Sequence, residues 1–465
     1  MVCHPRPLAL WCRCLWALLL SSALLLSVLR GSSEAQITPD GSLGPRGPLQ
    51  GPNYRIGAEL GQIPGSNLFH SFGAFNVPTG GSATFSGSPA IANILSRVTG
   101  GQPSAIDGII RSEIAGANLY LLNPSGVLFG QNASLDVRGS FHVSTANFLR
   151  LADGAKFFAD LGQASGLTVA PPVAFGFLGS TPAPITIQRS GLRVPTGRVL
   201  SVVGGDIEMV GNGSLTANTR PTLGAPSGRV QLASVASPGE VLFNPLELAP
   251  DLRVDSFARL GRLEFSQGAL VDASGVGVAG SGGPGGSVLI RSGRLLVDRS
   301  AILANTLGRM DGAGLGLDLR IAADAVLTND SELRASPRGA GHGGDIAVHV
   351  GSLTLTEGSG IFTSSFDAGH SGELHVAATE AISIAGRDTQ RNPSGLCQGG
   401  TISASSSGQG DAGNIVIRAG QLFRSRNGAV ATEAARRRME QFMASGGQTR
   451  EAELDLGAFV ENFAH

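Results

Sequence analysis

Residues 118–148 read NLYLLNPSGVLFGQNASLDVRGSFHVSTANF. Asn123-Pro124-Ser125-Gly126 separates two apolar runs; Pro at the second position presets φ, and Gly at the fourth suits a type I turn. Leu119 to Leu122 precede the turn and Val127 to Phe129 follow it. Leu135 with Val137, and Phe141 with Val143, then repeat an every-second-residue apolar pattern. That pattern predicts short strands joined by tight polar turns.

The same grammar runs outward in both directions. SNLFHSFGAFNVPTGG (66–81) is strand material closed by a turn, and 92–116 holds two more short strands around Gly100-Gly101 and Asp107-Gly108. GDIEMV (205–210), SLTA (214–217) and GRVQL (228–232) alternate polar and apolar residues. Further on, units begin at Gly286, Gly316, Gly344, Gly372 and Gly413, so the spacings as differences of those numbers are 30, 28, 28 and 41 residues. The loop RDTQRNPSGLCQGG (387–400) accounts for the long gap.

Repetition at this period means stacked supersecondary units. Leucine-rich repeats need helices and their own leucine frame, and propeller blades are longer with aromatic marks. A parallel β-helix remains, with alternate residues pointing into a shared core and Gly supplying positive φ at the corners. Gln36–Gly51, rich in Gly and Pro, is expected to cap its first end. The run ATEAARRRMEQF (431–442) breaks the pattern with a helix-like stretch, so 431–465 reads as an atypical tail, a cap or a truncated end.

Composition bounds the function. The 465 residues include 68 glycines and are 42% hydrophobic, too apolar for disorder. A formal net charge of −1 and a single lysine, Lys156, give no electrostatic case for nucleic acid or an anionic membrane. His4, Arg6 and Arg13, the apolar run from Leu15 to Leu29, and Ser33-Glu34-Ala35 have the form of a secretory signal peptide cleaved near Ala35. The apolar run is short of the ~20 residues a membrane span needs. Cleavage removes Cys3, Cys12, Cys14 and both tryptophans, Trp11 and Trp16, leaving Cys397 alone. No disulfide framework or cysteine metal site remains, and a stacked core is one way for such a chain to be stable.

Sites of other kinds find weak support. Asp251, Asp255, Glu264 and Asp272 recur near one another, without a basic partner and an aromatic sugar platform beside them. His342, His349, His370 and His375 fall at turn or outward positions, as solvated histidines do. The glycines of 280–287 lack the Lys-Ser/Thr of a phosphate loop. No catalytic residue, metal or cofactor is expected.

The motifs NLFHSFGAFNVPTGG, NLYLLNPSGVLFGQNASLDVRGSFHVSTANF and LRVPTGRVLSVVGGDIEMVGNGSLTANT with GRVQLASV resemble the filamentous haemagglutinin family of two-partner secretion exoproteins over about 36–240. The resemblance implies an all-β fold, a right-handed parallel β-helix with an N-terminal cap and secretion domain. It also implies delivery through the Sec translocon and recognition by the periplasmic domains of an outer-membrane β-barrel transporter of the TpsB type. The product would be extracellular or on the surface of a Gram-negative-type bacterium, after transit through the periplasm. The secretion motif maps to Asn123, Pro124, Ser125 and Gly126, with Ser125 replacing the commoner second Asn. A second motif, Asn-Pro-Asn-Leu, has no clear counterpart, since Asn244-Pro245-Leu246 comes late. The expected division is a signal peptide (1–35), a secretion domain of the haemagglutination-activity type (36–255), a repeat β-helix (256–430) and the tail (431–465). The expected function is adhesion to a glycan or protein ligand. The alternatives are a β-helical polysaccharide-active enzyme, or a passenger whose functional domain lies elsewhere.

Overall fold

The computed structural model describes residues 36–216, 220–243, 252–391, 397–426 and 429–432. The expected signal peptide, Asn244-Pro245-Leu246, Asp251 and nearly all of the 431–465 tail lie outside the described residues.

Short strands stack in register, coil upon coil, into three parallel walls. The first wall runs through Asn67–Phe75, Asn93–Val98, Asn118–Leu122, Phe141–Ser144, Val199–Gly204, Arg229–Ser234 and Ser287–Ser292. It continues through the front halves of Leu315–Thr328 and Asp345–Leu355 to Leu374–Ala378 and Ile415–Ala419. Val127–Phe129, Ile185–Gln188, Ile207–Val210, Arg262–Ser266 and Arg294–Asp298 belong to the second wall. Ser82–Ser86, Ile109–Ser112, Ser134–Asp136, Thr222–Gly224, Leu270–Asp272, Ala301–Leu303 and Glu332–Arg334 belong to the third. This is a parallel β-helix. The described residues contain one short 3-10 turn, Ala58–Leu60, and no helix long and apolar enough to cross a membrane.

Alternation explains the inside. Leu119, Leu121, Phe141, Val143, Leu200, Val202, Val230, Leu232, Val288 and Ile290 point inward, and each lies on its like in the next coil. Stacking of this kind removes roughly 1.5–3 kcal/mol worth of apolar surface from water per side chain. At the first end, Ile37–Pro39 pairs antiparallel with the last residues of Asn67–Phe75, closing the edge as the expected cap.

One expectation needs correction, the strand-like alternation at 214–217. The glycines that head the repeats serve close approach. A Cβ on Gly286, Gly372 or Gly413 would sit 2.0–2.2 Å from the carbonyl oxygen of Gly228, Gly344 or Gly372 in the coil below. Positive φ falls at corner and turn glycines such as Gly126 and Gly280, as expected. Residues 214–216 form a loop with Leu215 exposed, and the third wall is supplied by Thr222–Gly224.

A second sheet lies outside the helix. Lys156–Phe158, Phe148–Leu151, Pro172–Phe177, Gly239–Phe243 and Leu252–Arg253 pair in that order, all antiparallel. It roofs the outer side of the first wall, where Phe69, Leu95, Tyr120, Leu122, Val203 and Leu289 form a separate buried cluster with Leu149, Phe157, Phe175 and Phe243. The first wall is thus buried on both faces over these coils, which is why Leu119 to Leu122 read as an apolar run without alternation. The loop expected near Cys397 is a hairpin in which Ala381–Arg391 turns back to pair antiparallel with Cys397–Gly399.

Candidate functional site

Asn123 ends the first-wall strand Asn118–Leu122, and Pro124 and Ser125 carry the chain around the corner. The Gly126 N–H donates to Asn123 O at 3.1 Å, closing the expected turn. Gly126 has φ +114°, a conformation that favours glycine, and a Cβ there would meet Pro184 O at 3.3 Å.

The Asn123 side chain is fully buried and uses both ends of its amide. Its Nδ2 donates to Gln102 O at 2.9 Å and Ser104 Oγ at 3.0 Å in the preceding coil. Its Oδ1 accepts the Ser125 N–H at 2.9 Å. Its backbone N–H donates to Ser144 O at 2.9 Å in the following coil. One residue thereby pins three coils at one corner. Aspartate would keep the Ser125 bond but supply no donors, and alanine would remove all three side-chain bonds, the buried one to Ser104 Oγ included.

The next residue of that following coil begins the first excursion into the roof. Thr145 Oγ1 donates to Ala183 O at 2.8 Å, so the two ends of the excursion meet there. The Asn123 corner therefore sets the root of the roof. Among the four motif residues, Pro124 and Ser125 are half-buried, while Asn123 and Gly126 are buried.

Side chains outside the tetrapeptide share the work. Asn67, Asn93 and Asn118 hold equivalent positions in three successive coils. Asn93 Nδ2 donates to Asn67 Oδ1 at 2.9 Å, and Asn118 Nδ2 to Asn93 Oδ1 at 3.2 Å. Asn67 reaches the roof loop through Thr168 O and Ala170 O. The signal was present in the sequence as NLF, NIL and NLY at one-coil spacing. Under the roof, the His142 ring stacks on Tyr120 at 4.2 Å with planes 5° apart. Burial pushes the His142 pKa down to about 3 and the Tyr120 hydroxyl upward.

The other candidates do not assemble. Glu264 lies on the second wall paired with Arg262 at 2.7 Å, whereas Asp272 lies on the third and accepts the Ser274 N–H. Asp255 is on an exposed loop. The His342 and His370 rings meet at a corner with centroids 4.6 Å apart and planes tilted by 33°, and His375 pairs with Glu373. Among the described residues, no group of three or more His, Cys, Asp or Glu is placed to hold a metal. Residues 386–399 include Cys397, whose side-chain surroundings lie outside the description.

The described residues thus form a parallel β-helix, roofed on one wall and pinned at the Asn123 corner. The TPS secretion domain model matches residues 35–290, more than half of the chain, and the chain belongs to that family. It is a two-partner-secreted exoprotein, exported across the outer membrane by a transporter partner. Two solved structures are similar to it. The HMW1 secretion domain from Haemophilus influenzae is 14% identical, with a TM-score of 0.38 over 78% of this chain and 96% of that one. A filamentous hemagglutinin secretion domain is 13% identical, with a TM-score of 0.32 over 84% and 99%. Scores this low add nothing to the family match. No curated protein matches the chain.

Proposed function

We propose that residues 36–255 are the export signal of a surface-displayed or released adhesin, read in the periplasm by a TpsB-type transporter after Sec-dependent entry. The repeat region 256–430 is then the cargo that projects outward, without catalytic activity.

The observation that carries the reading is the burial of Asn123. In the folded helix no partner can reach its side chain, so a transporter reads this residue only while the chain is extended. Folding afterwards consumes the same amide in three hydrogen bonds. Parallel pairing with many long-range contacts is slow, which keeps the chain extended in the periplasm. The likeness of Asn123-Pro124-Ser125-Gly126 to the family's secretion motif, with the match over 35–290, supports the same view.

The test is export of full-length Asn123→Ala beside the parent, with a candidate transporter present. A drop of about tenfold or more in the medium, with equal amounts made inside the cell, is expected. Equal amounts in the medium would remove Asn123 from the mechanism.

A further inference from the structure

Long loops join the third wall to the first at residues 273–286, 304–314, 335–344 and 363–373. They stack on one corner of the rod. Coil-to-coil backbone bonds fix them: Arg338 N–H to Thr306 O at 2.7 Å, Gly280 N–H to Arg338 O at 2.8 Å, and Gly369 N–H to Gly339 O at 2.9 Å. Between them lies an open cleft of about 380 Å³ lined by Ala279, Gly280, Arg338, Phe366 and Asp367. That volume falls in the range of small-molecule sites, about 300–1,000 Å³.

Phe366 is 51% exposed, and no other Phe or Tyr ring among the described residues is exposed. The ring stands at the cleft with a charged group of each sign beside it, Arg338 and Asp367. The Arg338 guanidinium stands 5.4 Å from the ring centroid and holds it in place. Asp367, the next residue, accepts the Ala368 N–H through Oδ1. Gly280 contributes no side chain, and a Cβ there would project into open space.

We propose that this cleft binds a neutral pyranose unit of a polysaccharide. The C–H face of a sugar ring would lie on Phe366, its hydroxyls would donate to the Asp367 carboxylate, and Arg338 would donate to ring or hydroxyl oxygens. The two opposite charges balance, which disfavours polyanions such as nucleic acid. The cleft is shallow and polar-edged, which disfavours an apolar peptide anchor that needs a desolvated hole. The site deepens the adhesin reading and rests on it for exposure of the rod outside the cell. Binding itself needs only the folded chain.

The experiment uses the full chain purified from the medium or, if export fails, refolded from cells, so that export and binding are scored separately. Saturation-transfer NMR against maltohexaose, cellohexaose and a β-1,4-galactan oligomer, each up to about 10 mM, is expected to show binding to at least one. Phe366→Ala should weaken it by about tenfold or more, and Asp367→Asn by less. Phe366→Trp should retain it, because a larger ring preserves the platform. Phe366 is half exposed, so these variants should melt with the parent. Absence of binding to all three oligomers would overturn the proposal, as would binding that Phe366→Ala leaves intact. Capture of apolar peptides or uronate oligomers in preference to the neutral ones would overturn it too.

Discussion

Arg97 and Arg291 occupy the same outward position of the first wall, one beneath each end of the roof. The ladder runs Ser71, Arg97, Leu122, Ser144, Val203, Ala233, Arg291, Arg320 through successive coils. Arg97 bonds Ser71 Oγ at 2.7 Å, Ser165 Oγ at 2.9 Å and Phe158 O, and lies 4.7 Å from the Phe157 ring centroid. Arg291 donates to Leu252 O at 2.8 Å and to Asp318 Oδ2 at 2.5 Å, with both side chains of that pair buried. Everything between the two arginines on this ladder is small or apolar. Beyond Arg291 the same ladder continues through Arg320, His349, Ala377 and Arg418, and the roof ends.

Arg291→Ala leaves the buried Asp318 carboxylate with only Arg320, 3.4 Å away and itself exposed, so the loss should approach the roughly 3–5 kcal/mol of a broken buried pair without reaching its upper end. Urea denaturation of the full chain should show an earlier first transition. Arg291→Met with Asp318→Leu should recover most of the loss. A double variant as weak as the single one would show that the pair itself stabilises the roof.

Acid should loosen this region. Burial holds the pKa of His142 down to about 3; burial likewise lowers His70 to about 4, against the bond to Gly57 O and the charge of Glu59. Unfolded histidine titrates near 6.5. Below that pH the unfolded chain takes up protons that the folded one refuses, so stability falls as pH drops from about 6.5 toward 4. Each histidine contributes at most about 1.4 kcal/mol per pH unit. Asp40 adds little in this window. Burial raises its carboxyl pKa, but hydrogen bonds from Ser71, Ser42 and Thr99 outweigh burial and hold it below its ordinary value, so its contribution is lost only at lower pH. Melts at pH 7, 6, 5 and 4 should show a shallower slope for His142→Phe than for the parent. Identical slopes would place the acid sensitivity elsewhere.

A fragment of 36–255 ends before Leu289 and Arg291, leaving the strand Arg229–Ser234 as an open edge and the roof unanchored. A fragment of 36–304 completes the coil. Limited proteolysis should find the longer fragment resistant and the shorter one cleaved within the roof, with a greater tendency to aggregate. Burial of Leu289 alone is worth roughly 1.5–3 kcal/mol. Equal resistance would make 255 a sufficient boundary for folding.

The inward half of this architecture was legible because stacking repeats one pattern: alternate apolar residues, repeat-heading glycines and the Asn-Pro-Ser-Gly corner all survive as local text. The roof was not legible. Its strands at 148–177 and 239–253 pair antiparallel with partners up to tens of residues away, and neither turn length nor alternation announces that. The clue lay in the host strands, where Tyr120 and Leu122 are as apolar as Leu119 and Leu121. The Arg338–Phe366 cleft was hidden for a related reason. Its residues become neighbours only when the coil period superposes loops of unlike sequence.

At the corner, Asn123→Ala in the refolded chain should cost roughly 1–3 kcal/mol, because Gln102 O loses a donor and the Ser125 N–H an acceptor. Asn123→Asp should fare no better, since it retains the acceptor but buries a charge. Thermal melts of both variants beside the parent give the magnitude. A melt unchanged in Asn123→Ala would mean that the amide is dispensable for the fold, and any export defect would then belong to recognition alone.

The most direct measurement is the amount of full-length chain in the culture medium with and without a candidate outer-membrane transporter, at equal synthesis. The expected result is release or surface display only when the transporter is present, with degraded chain in the periplasm when it is not. Equal export in its absence would contradict two-partner secretion for this chain.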